Sequence, residues 1–112
     1  MAHDKGMLYI CDDLKLEVAI PESGILNRTL YNDDLLKVIA FRFAEGQELS
    51  AHSAPLPAML QVVEGQARVQ LGEEERMLGA GALVHMPANL RHAIKAETPL
   101  VILLTLCKGE RK

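Results

Sequence analysis

The chain has 112 residues, enough for one domain around one core, and 49% of them are hydrophobic, which excludes a disordered polypeptide. Only 4% are aromatic, so the core must be aliphatic. A net charge of -3 supplies no basic footprint, and nucleic acid is excluded as a partner on that ground.

In chain order, the first 35 residues read as N-terminal strands or an arm of the same unit. Residues 14–20 suit an edge strand, with Pro21-Glu22-Ser23-Gly24 as its turn, and Asn32-Asp33-Asp34 reads as another turn. Leu36–Phe43 is a β-branched and aromatic strand, ended by Ala44-Glu45-Gly46. Residues 59–63 form a second apolar run closed by Glu64-Gly65. Residues 67–71 alternate, with Ala67, Val69 and Leu71 on one face and Arg68 and Gln70 on the other. Gly72-Glu73-Glu74 is their turn, and the acidic run Glu73-Glu74-Glu75 is a solvated hairpin tip. Met77-Leu78 leads to Gly79-Ala80-Gly81. Leu83–Met86, residues 93–95 and Leu100–Cys107 complete the series. Short strands punctuated by Gly and Pro predict an all-β sandwich or barrel, with residues 36–112 as the barrel in a single unit.

The apolar run at the C-terminal end is seven residues, against the roughly 20 needed to span a bilayer as a helix, so no membrane partner is expected. The N-terminus lacks a basic start followed by an apolar stretch, and a cytoplasmic location is expected. The sequon Asn27-Arg28-Thr29 then carries no meaning. Cys11 and Cys107 are most simply free thiols, although spacing alone leaves a disulfide open.

Two segments carry the candidate chemistry. Residues 46–65 read GQELSAHSAPLPAMLQVVEG, and residues 81–96 read GALVHMPANLRHAIKA. In Gly46, His52, Gly65, Gly81, Pro87 and His92, and in their spacing, the stretch 36–108 resembles the two motifs of the small single-domain, RmlC-like cupins. The resemblance implies a double-stranded β-helix, the cupin jelly-roll barrel. It also implies a metal held by a His-x-His pair, a Glu and a later His, a set suited to Zn, Fe, Mn, Ni or Cu. Here Ala54 replaces the second His and Ala58 the Glu. Asn89 and Ala96 replace a Gly and an Asn of the second motif.

The implied ligand set is therefore reduced to His52 and His92. Structural zinc takes four protein ligands and catalytic zinc three, so His85 and Cys107 are the first residues to consider as a third. Glu48 shares the parity of His52 but lies roughly 13 Å away along an extended strand. By parity Ala58, Leu60 and Val62 face inward and Gln61 outward. A pocket formed by His52, His92, Ala54, Ala58, Met59, Leu60 and Met86 is apolar, with two adaptable thioethers. It suits a small organic ligand held by one or two polar groups, or an acidic ligand should the histidines be protonated.

No G-x-S-x-G elbow, phosphate loop, dinucleotide fingerprint or Cys-x-x-Cys is present. Asp12-Asp13 and Asp33-Asp34 fall in turns and read as solvated. The favoured reading is a small-molecule-binding module with no certain cofactor. The alternative is a metal-dependent cupin enzyme (dioxygenase, isomerase or decarboxylase) with an atypical ligand shell, and a third possibility is an interaction protein whose pocket is only core. A homodimer is expected in each case, since small cupins commonly pair and residues 14–20 suit a partner's sheet.

Overall fold

The computed structural model describes residues 6–16 and 21–109. They build nine strands in two antiparallel sheets. One sheet holds β1 (Ile25–Asn32), β2 (Leu36–Phe43), β9 (Leu100–Cys107), β4 (Ala58–Glu64) and β7 (Leu83–Met86), in that spatial order. The other holds β3 (Glu48–His52), β8 (His92–Ala96), β5 (Gln66–Leu71) and β6 (Glu74–Gly79). The chain passes repeatedly from one sheet to the other, and this gives the expected all-β jelly-roll barrel.

The alternation read from the sequence is the alternation that builds the core. Ala58, Leu60 and Val62 of β4 are buried while Gln61 is exposed. Ala67 and Val69 of β5 are buried while Arg68 and Gln70 face water. Phe43, Leu60, Val69, Leu100 and Ile102 are the largest fully buried side chains. Each stabilises the barrel by about 1.5–3 kcal/mol through the apolar area it removes from water. Central strand β9 is buried at three successive residues, Leu100, Val101 and Ile102. It lies between β2 and β4 and reads as a continuous apolar run rather than an alternating one.

Several expectations at the N-terminal side and at the turns need correction. Residues 14–16 form a 3₁₀ turn, Leu14–Leu16, rather than an edge strand; the remainder of that expected strand, 17–20, lies outside the described residues. The edge is instead β1, a strand the sequence did not announce, which pairs with β2 through an irregularity between Thr29 and Tyr31. β3 carries little apolar signal of its own, since its five residues have one partly buried apolar side chain, Leu49; the motif around His52 is what places a strand there. Glu74 already belongs to β6, opposite Leu71. The acidic tip is tied down on both sides, with Glu74 reaching Arg76 and Glu75 reaching Arg68. These pairs are solvated and contribute little stability.

A polar latch closes the β1–β2 turn. Asp33 is buried, and its carboxylate accepts from the Tyr31 hydroxyl at 2.6 Å and from the Leu35 and Leu36 amides at 2.8 and 3.0 Å. The Tyr31 oxygen in turn accepts from the Met7 amide at 2.9 Å. Lys108 donates to Asn32 Oδ1 and to the Asp33 carbonyl at 2.6 and 2.7 Å. One turn therefore anchors both the N-terminal arm and the chain leaving β9. The Tyr31 hydroxyl, followed by the two amides, holds the Asp33 carboxyl below its ordinary range. The same bond raises the Tyr31 phenol.

Candidate functional site

His52 and His92 are cross-strand partners on β3 and β8. A bulge brings this about. Leu49 pairs with Ile94, yet His52, three residues further on, pairs with His92, only two residues before Ile94. The extra residue reverses the parity of β3, so that Leu49 and His52 both face inward. Glu48, which simple alternation puts on the His52 face, instead pairs with Lys95 on the exposed outer face. It is thereby removed from the site by orientation as well as by distance.

The two imidazole rings stand 4.3 Å apart between centroids, tilted by 59°. His92 is half-buried and His52 is exposed at the rim. Each ring is fixed by its own chain. His52 Nδ1 lies 2.9 Å from the Ser50 carbonyl oxygen, and His92 Nδ1 lies 2.9 Å from the Leu90 carbonyl oxygen. A carbonyl oxygen only accepts, so the proton of each ring is on Nδ1. In the neutral form this leaves Nε2 of each ring as a bare acceptor.

Behind the histidines is a small apolar pocket between the sheets, with a cavity volume of about 60 Å³. Its inner wall is Ala58, Met86, Leu104 and Leu106. Its rim is formed by Ala54, Leu56, Pro87 and Leu90. Register explains the wall, since Ala58 sits across from both Met86 and Leu106. The rim is fastened by the Asn89 amide, which donates to the Ala54 carbonyl at 2.7 Å. Asn89 has φ 70°, a left-handed conformation that Asn tolerates better than other residues with a side chain. The exchange of Gly for Asn in the second motif thus preserves the turn. The exchange of Asn for Ala at position 96 preserves the backbone links to Gly46 and Gln47, at 2.8 and 2.9 Å.

Of the residues expected here, the pocket brings together His52, His92, Ala54, Ala58 and Met86. Leu60 is fully buried in the core one inward step from Ala58 and does not line the pocket. Met59 lies on the opposite face of β4, in register with His85 and Thr105. His85 is on that same outer face and exposed. Cys107 alternates with the pocket residue Leu106 and faces away. Neither His85 nor Cys107 can therefore supply a third ligand, because strand alternation turns both from the pocket. Leu56, in the apolar stretch after His52, lines the pocket as that stretch suggests, whereas sequence reading missed Leu90, Leu104 and Leu106. The two leucines of β9 were detectable only as part of an undivided apolar run.

The donor set does not fit the metal that the fold implies. Two imidazole nitrogens face methyl groups where another His and a Glu would stand. Among the described residues, no group of three or more His, Cys, Asp or Glu is arranged to hold a metal ion. Nor is any described helix long and apolar enough to cross a membrane.

Comparison with known proteins agrees with the architecture. A conserved protein of unknown function from Streptococcus pyogenes is 30% identical, with 99% of this chain and 97% of that one covered and a TM-score of 0.83. An RmlC-like cupin from Shewanella frigidimarina is 18% identical over 95% of each chain, with a TM-score of 0.78. Another, from Desulfovibrio desulfuricans, is 22% identical over 91% of this chain and 98% of that one, with a TM-score of 0.80. No curated relative matches. The cupin domain model matches residues 40–106, a stretch that includes both histidines and every strand of the pocket, and the chain belongs to the cupin family.

Proposed function

We propose that this protein is a small-molecule-binding module and that its ligand occupies the pocket behind His52 and His92. The observation that carries this reading is the pair of locked imidazoles, whose Nε2 atoms are the side-chain nitrogens left to a ligand at the mouth of an otherwise apolar pocket. Such a combination, apolar walls with a few placed polar atoms, is what binding sites for small organic molecules require. The cavity, about 60 Å³, is well below the roughly 300–1,000 Å³ usual for such sites, so it takes only a small ligand, part of which remains at the open mouth.

A thermal-shift screen of small organic fragments tests the reading, run on the parent and on a His52→Ala/His92→Ala variant. Ligands that raise the parent's melting temperature should fail to raise that of the variant. Hits shared equally by the two proteins would refute the assignment. Elemental analysis of the same preparation, purified without chelator or metal-affinity tag, addresses the alternative. About one metal per chain would favour a cupin enzyme whose ligand shell is completed by something other than His85 or Cys107.

The chain is further proposed to form a homodimer through its N-terminal side. Met7, Leu8 and Ile10 are 63, 88 and 71% exposed on a segment outside any helix or strand. β1, beside it, is the edge strand of its sheet among the described residues, a position suited to pairing with another chain.

A further inference from the structure

We infer that the ligand of this pocket is a neutral hydrogen-bond donor: an apolar molecule carrying a phenolic hydroxyl or two adjacent hydroxyls. The inference rests on the binding reading above and names the chemical class that the site selects.

Both Nδ1–H groups are spent on backbone carbonyls within the same strand or turn, at 2.9 Å each. What the neutral pair presents is two acceptors and no donor. A carboxylate or phosphate is also acceptor-only, so it would face two lone pairs. To be bound, it would need a ring to take up a proton. No Lys, Arg, Asp or Glu lines the pocket among the described residues, so the two rings alone would have to balance the anion. The walls behind them are Ala58, Met86, Leu104 and Leu106, and an anion moved among such groups loses its hydration without replacement.

A hydroxyl reverses each of these difficulties. It donates to Nε2 without any change of charge, and its carbon skeleton covers the apolar wall. Two adjacent hydroxyls match two acceptors on neighbouring rings, one each. A molecule with the same skeleton but methylated oxygens keeps the apolar contact and loses both bonds. The two acceptors are at the mouth, on an exposed and a half-buried ring, so the analogue gives up about 0.5–1.5 kcal/mol for each hydrogen bond lost.

The test uses three molecules of similar body: 4-methylcatechol, its dimethyl ether 3,4-dimethoxytoluene, and 4-methylbenzoate. Each is titrated anaerobically into the full-length protein at neutral pH, while the imidazole ¹⁵N signals of His52 and His92 are followed. The catechol is expected to shift the Nε2 signals saturably and to bind at least about tenfold more tightly than the ether, as for the loss of one to two hydrogen bonds. In His92→Ala the preference should fall to within about twofold. Equal affinity for the ether, or tighter binding of the benzoate, overturns the donor class and leaves the pocket as the binding site. Saturable shifts confined to signals outside the pocket overturn the binding reading itself, and with it the inference. Free-protein ¹⁵N signals showing the proton on Nε2 overturn the inference at its first step.

Discussion

Gly65 and Gly81 form a matched pair that separates two contributions usually measured together. Their φ angles are +95° and +96°, so replacement by Ala asks the same unfavourable conformation of a side-chain-bearing residue at both sites. That costs about 1–2 kcal/mol, partly offset by about 0.4–1 kcal/mol from the less flexible unfolded chain. Gly81→Ala is thus expected to destabilise by about 1 kcal/mol, since a Cβ there meets nothing within 4 Å. At Gly65 the same atom would lie 2.1 Å from the Pro99 carbonyl oxygen, 2.9 Å from Thr98 Oγ1 and 3.1 Å from the Leu100 Cα. Two of these are backbone atoms and cannot rotate away. The segment must shift, at about 1–3 kcal/mol for the overpacking. It also carries the bonds from the Gln66 amide to Thr98 Oγ1 and from the Glu97 amide to the Gln66 carbonyl, both 3.0 Å. Weakening them adds about 1 kcal/mol. Gly65→Ala should therefore cost about 3–5 kcal/mol, and its melting temperature should fall roughly 10 °C below that of Gly81→Ala. Urea and thermal unfolding of both variants decide the matter. A difference of less than about 1 kcal/mol would show that the 97–100 turn yields freely, and the steric argument would be wrong.

Asp33→Asn should destabilise the protein at neutral pH. Because the folded carboxyl is held below its ordinary range, its contribution is present above the unfolded value and is lost as pH falls through the folded one. The gap between variant and parent, measured by urea unfolding, should narrow in strong acid; a gap independent of pH would refute this. Tyr31→Phe removes the acceptor of the Met7 amide and should speed hydrogen exchange there without affecting the core amides of β4 and β9. Unchanged exchange at Met7 would show that the arm is held by other contacts. Sedimentation at micromolar concentration should give a dimer, and Leu8→Lys should shift it toward monomer; a monomeric parent sinks the proposed pairing.

Chain-local signals were strong wherever one residue type settles a backbone question. The β2, β7 and β9 strands begin and end where composition and turn residues place them. Gly46, Gly65 and Gly81 all have positive φ, as turn positions in the motif require. The alternation of β4 and β5 sorted inward from outward side chains, since period two is a property of any extended chain. That same rule, applied without a bulge, put Glu48 on the wrong face of β3. It gave no answer for His85 and Cys107, because parity says nothing about which face is inner until a neighbouring strand is known.

His52, His92, Ala54 and Ala58 were legible because they occupy spaced motif positions, and the loss of ligands at 54 and 58 was visible in the letters alone. The sequence by itself therefore determined β2, β4, β5, β7, β8 and β9, the barrel class and the reduced donor set, all of which follow from local conformation and residue chemistry. Only the tertiary structure decided what the two histidines can do. Their distance, their Nδ1 bonds to Ser50 and Leu90 and the leucines behind them depend on a one-residue register shift between β3 and β8. Register is fixed by packing between strands far apart in the chain, and no single segment encodes it.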